Sequence, residues 1–361
     1  MPPAANWRRF RRPRRTGKFE TSAGAEGGPP DDMTIPLESI PSFTAAEALA
    51  AAAQEFGIRG SVAALPSERD QNFLLTAEDG AKRVLKIANL GDAPELLDFQ
   101  NQAMRRVRLA ASDCGVQDLV RSLAGAEIAA VRNARTGTLH CLRLLTWLDG
   151  EVLAHSASRA PALFASIGAS LARIDAALCD FSHPAMHRVL QWDLRRAGMA
   201  RENAGLLPRG RRACVERHFS QWERIDWSAL RHSVIHGDAN DYNVIVHAGR
   251  MTGLLDFGDA VHSATVCELA VALAYTMLGE KQPLSAAAQV ARAYHRLYPL
   301  SEPERNALFP LVLSRLSMSV CYSAHNRARN PDDPYQVVSE AAAWELLDRL
   351  EPHAADGTLA F

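Results

Sequence analysis

The sequence has almost no net charge and no long apolar run. Its 40 lysines and arginines are balanced by 41 aspartates and glutamates, which gives a formal net charge of −1. This balance makes nucleic acid an unlikely partner for the chain as a whole, although it leaves room for a local basic patch. No apolar run approaches the roughly 18–20 residues that cross a bilayer, so we expect no membrane segment. A hydrophobic content of 47% over 361 residues is typical of a globular protein of two domains or lobes.

The sequence also lacks any Cys-x-x-Cys pair. Its cysteines are scattered along the chain, at positions Cys114, Cys141, Cys179, Cys214, Cys267 and Cys321. This spacing predicts reduced, mostly buried thiols of a cytoplasmic protein, and neither disulfides nor a zinc site.

Residues 1–33 differ in composition from the rest of the chain. Six arginines lie between Arg8 and Arg15, and no acidic residue precedes Glu20. An export signal would need an apolar core after these arginines, and none follows; a nucleic-acid arm and an organelle presequence are the other specific interpretations. We predict a disordered basic tail, or a translation start at Met33, because biased polar termini are usually disordered.

The remaining chain divides into a β-rich third and a helical remainder. A capping box from Thr44 to Glu47 predicts a first helix that ends at Gly57. We predict strands at 61–65, 72–77 and 83–87, and helices at 94–111, 162–178, 191–202, 211–222, 267–278, 285–298, 302–325 and 335–350. This order predicts an α+β protein with an N-lobe at 34–148, a C-lobe at 149–361 and a ligand cleft between them.

One predicted hairpin carries polar residues that it does not need for stability. Residues 236–260 read HGDANDYNVIVHAGRMTGLLDFGDA, with apolar arms at 244–246 and 253–255. Asn243 precedes the first arm and Asp256 follows the second, so antiparallel pairing places both at the same end. A carboxylate and an amide oxygen there would suit Mg²⁺, which prefers oxygen ligands.

Asp238 lies five residues before Asn243, on the loop that enters the hairpin. A metal-holding pair and a free carboxylate are what phosphoryl transfer requires, because the metal neutralises phosphate charge while the carboxylate receives the hydroxyl proton. Taken singly, such residues are more often turn formers. A His-Asp phosphohydrolase would need further ligand histidines at helical spacing, and the histidines near this stretch do not supply them.

The motifs HGDANDYN and DFG resemble those of the aminoglycoside phosphotransferase/choline kinase superfamily, which shares the protein-kinase fold. Four further segments support the resemblance: SERDQNFLL, VLKIAN, LLTWLDGEVL and DFGDAVHSATVCELAVALAY. Within this superfamily, the sequence is most similar to hydroxylysine kinases and to kinase-like domains fused to class III aminotransferases. The resemblance covers about residues 35–350. It implies that Asp238 is the catalytic base, that Asn243 and Asp256 bind Mg²⁺, and that Lys86 contacts the phosphates of ATP or GTP.

The resemblance also implies a nucleotide site in the N-lobe. Ser67 and Asn72 would cover the phosphates, and Leu145 and Trp147 would line the hinge beside the base. Two features depart from protein kinases: the loop SERDQN has no glycine, and the helix after Lys86 lacks a glutamate at the usual place, so the partner of the lysine is open. The candidates on that helix are Glu95, Gln100 and Gln102.

The implied acceptor is an amino alcohol or a hydroxy amino acid, such as 5-hydroxylysine. Asp259 is our candidate for binding its ammonium group, and Arg195, Arg196 and Arg315 are candidates for a carboxylate. Homoserine, choline, ethanolamine and aminoglycosides are alternative acceptors, and a functional link to a class III aminotransferase follows from the fused relatives. A catalytically silent nucleotide-binding module is the alternative from another class.

Overall fold

The computed structural model describes residues 40–157, 159–329 and 340–354. The predicted basic tail, 1–33, lies outside these residues, as do residues 335–339 of the last predicted helix. Within the described ranges, β-strands dominate up to about residue 152 and helices dominate after it.

The N-lobe is built on a six-stranded sheet with the order β1-β2-β3-β6-β4, and β5 also pairs with β6. Its pairs are antiparallel, and Asn72, Lys86 and Arg143 come side by side on β2, β3 and β6. The elements of this lobe are α1 (Ala45–Phe56), β1 (Gly60–Leu65), β2 (Gln71–Ala77), β3 (Lys82–Ile87), α2 (Pro94–Ala110), β4 (Leu119–Val120), β5 (Ala129–Arg132) and β6 (Leu139–Thr146).

The predicted capping box starts α1. Thr44 Oγ1 accepts a hydrogen bond from Glu47 N at 3.2 Å, and the Glu47 side chain accepts one from Thr44 N at 2.7 Å. Gly57 ends the helix in the left-handed region, at φ 69°, where a side chain would be strained. The apolar face of α1 packs against one face of the sheet in a small separate core that includes Phe43, Phe56 and Phe73.

The C-lobe is a helical bundle with two small sheets. One sheet has the order β10-β9-β7 and the other pairs β8 with β11. The elements are β7 (Glu151–Val152), α3 (Pro161–Leu178), α4 (Gly198–Arg201), α5 (Arg209–Trp222), β8 (His232–Ile235), β9 (Val244–His247), β10 (Arg250–Leu254), β11 (Val261–Ala264), α6 (Val266–Thr276), α7 (Pro283–Leu297), α8 (Glu302–Arg329) and α9 (Glu340–Leu350).

The helix expected at 191–202 is broken, which corrects that prediction. The Asp193 side chain accepts hydrogen bonds from Arg195 N and from Ser263 Oγ, and this contact starts only a short turn, Leu194–Arg196. The four-residue α4 and the turn Glu202–Leu206 follow. The aspartate competes locally with the helix, as such side chains commonly do.

Two helices, α3 and α8, are long and apolar enough by length and composition to span a bilayer. The expectation drawn from unbroken apolar runs is not contradicted, because polar residues interrupt both helices. Of their apolar windows, 61% in α3 and 100% in α8 are buried inside the protein. Such burial is what core helices of a globular fold show, and both helices belong to the main hydrophobic core.

Candidate active site

The hairpin β9–β10 brings its two polar ends together. Ala248 and Gly249, at φ 48° and 71°, form a two-residue turn, so the connection is shorter than the six residues expected. The register then shifts by one residue between Met251 and Gly253. At the open end, Leu255 N donates to Asn243 O at 2.8 Å, so Asp256 directly follows the residue that pairs with Asn243.

The loop before β9 is held from behind by buried polar groups. His236 Nε2 donates to Leu255 O at 2.8 Å, and its Nδ1 accepts from Asp238 N at 3.2 Å. Gly237 adopts φ 78°, and its N–H donates to the fully buried Glu268 at 2.7 Å. A Cβ at Gly237 would lie 3.0 Å from the carbonyl oxygen of Asp259, so the loop passes close to the DFG segment. Glu268 is therefore a structural residue.

Asp238 is fixed by three side chains. Its Oδ1 accepts from the buried Arg315 at 2.9 Å, and its Oδ2 accepts from Asn243 Nδ2 at 2.9 Å and from Asn240 Nδ2 at 3.0 Å. Burial raises the pKa of Asp238 to about 8, against the opposing effect of Arg315. The carboxylate remains 20% exposed, which lets a substrate hydroxyl reach it.

Asn243 and Asp256 fit a hard divalent cation. The Asn243 amide nitrogen is used by Asp238, so its oxygen is the atom left for a metal. Lys86 and Gly258 N both donate to Oδ1 of Asp256, and Oδ2 bonds to no other residue in the described ranges. The Asp256 side chain is 43% exposed, and the Asp256 backbone lies in the left-handed region, at φ 58°. Burial alone would raise the pKa of Asp256, but Lys86 and Arg69 hold it well below its usual value.

Lys86 is buried in β3 and faces carboxylates instead of a helix glutamate. Its Nζ lies 2.9 Å from Asp256 Oδ1 and 3.7 Å from Asp70 Oδ2. Neither glutamine of α2 bonds to it, because Gln100 accepts from Arg143 at 2.8 Å and Gln102 donates to Asp98. The open question of the lysine's partner is thus answered by Asp256, with Asp70 from the glycine-free loop nearby.

The other predicted nucleotide residues lie around Lys86. Asn72 is opposite Lys86 in the sheet, and its buried Oδ1 has no hydrogen-bond partner within the described residues. Ser67 is half-buried in the loop between β1 and β2. Leu145 is buried in the core, and the half-buried ring of Trp147 follows the end of β6. Their roles toward a nucleotide stay predictions.

Asp259 is buried and already paired. Arg69, from the glycine-free loop of the N-lobe, lies 2.5 Å from Asp259 Oδ1. The charge of Asp259 raises the pKa of Arg69. Arg188 Nη1 donates to Gly258 O at 2.9 Å, so a second arginine also reaches the DFG segment. The role of Asp259 toward an ammonium group stays a prediction, and any such group would share it with Arg69.

Sequence reasoning missed three residues that shape the site. The sequence predicts no site role for Arg69 or Arg143, and the role it predicts for Arg315 is a substrate contact. In the structure, Arg315 instead donates a hydrogen bond to Asp238, which lies 77 residues earlier in the sequence. No local sequence pattern marks such a long-range pair. The spacing of SERDQN after a strand was the one usable signal for Arg69.

A model of the phosphotransferase enzyme family matches residues 61–308, more than half of the chain. The chain belongs to the phosphotransferase enzyme family. This result confirms the superfamily resemblance and the activity class, an alcohol-acceptor phosphotransferase.

Relatives extend the match beyond the family segment. A hydroxylysine kinase from Mus musculus is 29% identical over 338 residues, which covers 86% of this chain and 90% of that protein. A hydroxylysine kinase from Bos taurus is 28% identical over 347 residues, with the same two shares covered. These relatives support a small-molecule kinase that acts on a hydroxyl group, as predicted.

Solved structures share the fold at low sequence identity. A microcompartment-associated aminopropanol kinase superposes with a TM-score of 0.68 at 15% identity, covering 87% of this chain and 98% of that chain. Amicoumacin kinase, in complex with AMP-PNP, Ca²⁺ and Ami, superposes with a TM-score of 0.65 at 15% identity, covering 85% and 94%. The predicted two-lobed, protein-kinase-like α+β fold is confirmed.

Proposed function

We propose that the protein transfers the γ-phosphate of ATP or GTP, with Mg²⁺, to the hydroxyl of a hydroxylysine-like amino acid or amino alcohol. The observation that carries this proposal is a chain of contacts: Lys86 bonds to Asp256, and Asn243 bonds to Asp238 and to the backbone of Leu255, the residue before Asp256. The names of the relatives, which match over 86% of the chain, support the choice of acceptor.

The residues present account for each requirement of the reaction. Mg²⁺ held by Asn243 and Asp256 would neutralise charge on the phosphates. Lys86, held beside Asp256 by the bond to its Oδ1, would bind a phosphate oxygen. Asp238 orients the acceptor hydroxyl and receives its proton, and Arg315, Asn240 and Asn243 hold its carboxylate in one orientation.

Asp238 can accept a proton only when it is ionised. Since burial raises its pKa to about 8, the ionised fraction of Asp238 in the free enzyme increases as the pH increases through that value. We therefore propose that kcat/KM increases with pH on an acid limb set by Asp238.

The acceptor is identified by measuring phosphate transfer to a panel of alcohols, with ATP and with GTP as donors. Hydroxylysine should give the highest kcat/KM among hydroxylysine, homoserine, choline, ethanolamine and an aminoglycoside. Strong turnover of an aminoglycoside, with none of hydroxylysine, would contradict the acceptor but leave the kinase assignment intact. Binding of Mg-nucleotide without transfer to any alcohol would instead favour the catalytically silent module.

We also propose a cellular location and a functional partner for the enzyme. A cytoplasmic location suits an enzyme that uses ATP or GTP and has free cysteines, four of which are buried. A class III aminotransferase as functional partner would follow if the phosphorylated amino acid is its substrate. A coupled assay with a purified aminotransferase of that class tests this link directly.

A further inference from the structure

A second group of metal-ligand side chains lies apart from the residues assigned to the active site. Cys214 and His218 are four residues apart on α5, so both face the same side of that helix. Glu351 reaches them from the turn Glu351–His353, which follows α9. Cys214 Sγ lies 3.2 Å from Glu351 Oε2, His218 Nε2 lies 3.1 Å from the same oxygen, and the sulfur and the nitrogen are 3.9 Å apart.

These separations are those of a tetrahedral zinc site. Zinc bonds of about 2.3 Å to sulfur, about 2.0–2.1 Å to nitrogen and about 2.0–2.2 Å to oxygen place neighbouring donor atoms about 3.3–3.6 Å apart. The observed triangle differs from this by a few tenths of an ångström, so the three side chains need little movement to close on one ion.

In two of the three side chains, the polar atom that would not bind the metal already bonds to a neighbouring side chain. His218 Nδ1 lies 2.9 Å from Ser317 Oγ on α8, which leaves Nε2 toward the other ligands. Arg217 Nε donates to Glu351 Oε1 at 2.9 Å, which leaves Oε2 for the same space. Such outer contacts fix the orientation of ligands and support binding. Ser317 and Arg217 make these contacts independently of each other.

We propose that Cys214, His218 and Glu351 bind a divalent cation of the zinc class, with water as the fourth ligand. A thiolate and an imidazole select zinc over magnesium or calcium, which take oxygen ligands. Cys214 and His218 are buried, whereas the Glu351 side chain is 32% exposed, so the ion enters from that side. The bound ion connects the C-terminal turn to α5 and, through Ser317, to α8.

This proposal departs from the sequence-based expectation that the cysteines form no zinc site. Cys214 and His218 have the helical spacing that a sequence search can find. Glu351 is 137 residues beyond Cys214, and only the fold brings it to the site. Without metal, the same atoms form a hydrogen-bond network, in which the thiol and Glu351 interact directly.

Zinc retention tests the site on the full-length protein. The chain is loaded with Zn²⁺, dialysed, and its metal content measured by mass spectrometry. Wild type should retain one zinc per chain, as should the matched control Cys321→Ala, which removes another buried thiol of the bundle. Cys214→Ala and Glu351→Gln should lose it, and Ser317→Ala should bind zinc about 10–100-fold more weakly. Glu351→Gln alters a partly exposed residue, so it keeps the test valid if Cys214→Ala does not fold.

Cobalt distinguishes this site from the active site. Co²⁺ bound here should give a thiolate charge-transfer band in the near ultraviolet, and Cys214→Ala should abolish that band. The residues assigned to Mg²⁺, Asn243 and Asp256, contain no sulfur, so cobalt bound there gives no such band. The proposal is overturned if wild type retains no zinc, or if Cys214→Ala and Glu351→Gln retain as much as wild type. These readouts do not depend on the proposed kinase function.

Discussion

Two buried arginines, one in each lobe, have opposite surroundings. Arg143 on β6 is 3% exposed and donates to two neutral amides, Gln100 at 2.8 Å and Asn101 at 2.9 Å. Arg315 on α8 is 2% exposed and donates to the carboxylate of Asp238 at 2.9 Å. In both, Nε has no hydrogen-bond partner among the residues the structure describes.

The partners of the two arginines determine whether the guanidinium charge is neutralised: those of Arg143 are neutral amides, and that of Arg315 is a carboxylate. Burial lowers the pKa of Arg143, whose direct partners are neutral. Burial also opposes the charge of Arg315, but Tyr275 and Asp238 raise its pKa above the usual value. Arg315 thus shares its charge with the base. Arg143 lies beside Lys86 in the sheet and keeps its charge near the proposed nucleotide site.

The largest expected effect comes from making the partner of Arg315 neutral, like that of Arg143. Asp238→Asn should lower kcat by about 10²–10⁴-fold, because no base receives the hydroxyl proton. Affinity for Mg-nucleotide should change little. Steady-state kinetics and calorimetric titration measure the two quantities, with Asp226→Asn at an exposed turn as the control. Full activity in Asp238→Asn would show that another group is the base.

Removing Arg315 should shift the pH profile. Without this guanidinium, the pKa of Asp238 should increase by about 1–3 units, so the acid limb of kcat/KM moves to higher pH. At neutral pH, this shift lowers kcat/KM by about 10–1000-fold. The measurement is kcat/KM against pH for Arg315→Met, with Arg143→Met as the matched control. An equal shift in both variants would break the distinction between the two arginines.

Lys86→Met should weaken Mg-nucleotide binding by about 10–100-fold, because a charged hydrogen bond to phosphate contributes about 1.5–3 kcal/mol. The measurement is calorimetric titration with Mg-ATP and Mg-GTP. Lys281→Met, at an exposed position before α7, is the control and should bind nucleotide normally. Equal affinity in Lys86→Met and wild type would remove Lys86 from the nucleotide site.

The smallest effect is expected in stability. Arg143→Met should lower the free energy of unfolding by about 1–3 kcal/mol, since two buried amides lose their donor. This loss should be the same on both sides of the Asp238 pKa, because neither amide titrates. Denaturant unfolding at two pH values measures it.

Arg315→Met supplies the contrast in the same unfolding experiment. Loss of Arg315 should raise the pKa of Asp238 in the folded state further above its unfolded value. The free energy of unfolding then decreases as the pH increases through the folded-state pKa. Arg315→Met should therefore be less stable at the higher pH, relative to wild type. Parallel pH dependence in the two variants would contradict the difference in charge pairing.

Local pattern was enough to predict most of the fold. The capping box, the β-like runs and the hairpin arms each depend on neighbours within a few residues, and the structure contains all three. The break at 191–202 was missed because Asp193 bonds to Ser263, 70 residues away. The position of Asn243 and Asp256 at the same end of the hairpin was predictable, since hairpin topology fixes which residues share an end.

Long-range partners could not be predicted in the same way. Three ion pairs of the site join residues that are far apart in the sequence. The separations are 170 residues for Lys86–Asp256, 77 for Asp238–Arg315 and 190 for Arg69–Asp259. Each depends on how the two lobes, or the helices of one lobe, pack in three dimensions. The glutamine pattern of α2 suggested a lysine contact, yet Gln100 bonds to an arginine on the neighbouring strand instead.

Helix α2 is bonded on both of its sides. Toward the sheet, Gln100 holds Arg143; toward the helical lobe, Arg106 Nε donates to Ala177 O at 2.9 Å, and the Phe99 ring stacks on Phe181 at 6.1 Å. Because α2 contacts both lobes, its contacts oppose any separation of the lobes. Small-angle scattering should therefore find nearly the same radius of gyration with and without nucleotide, and Phe181→Ala should make the nucleotide-free molecule expand.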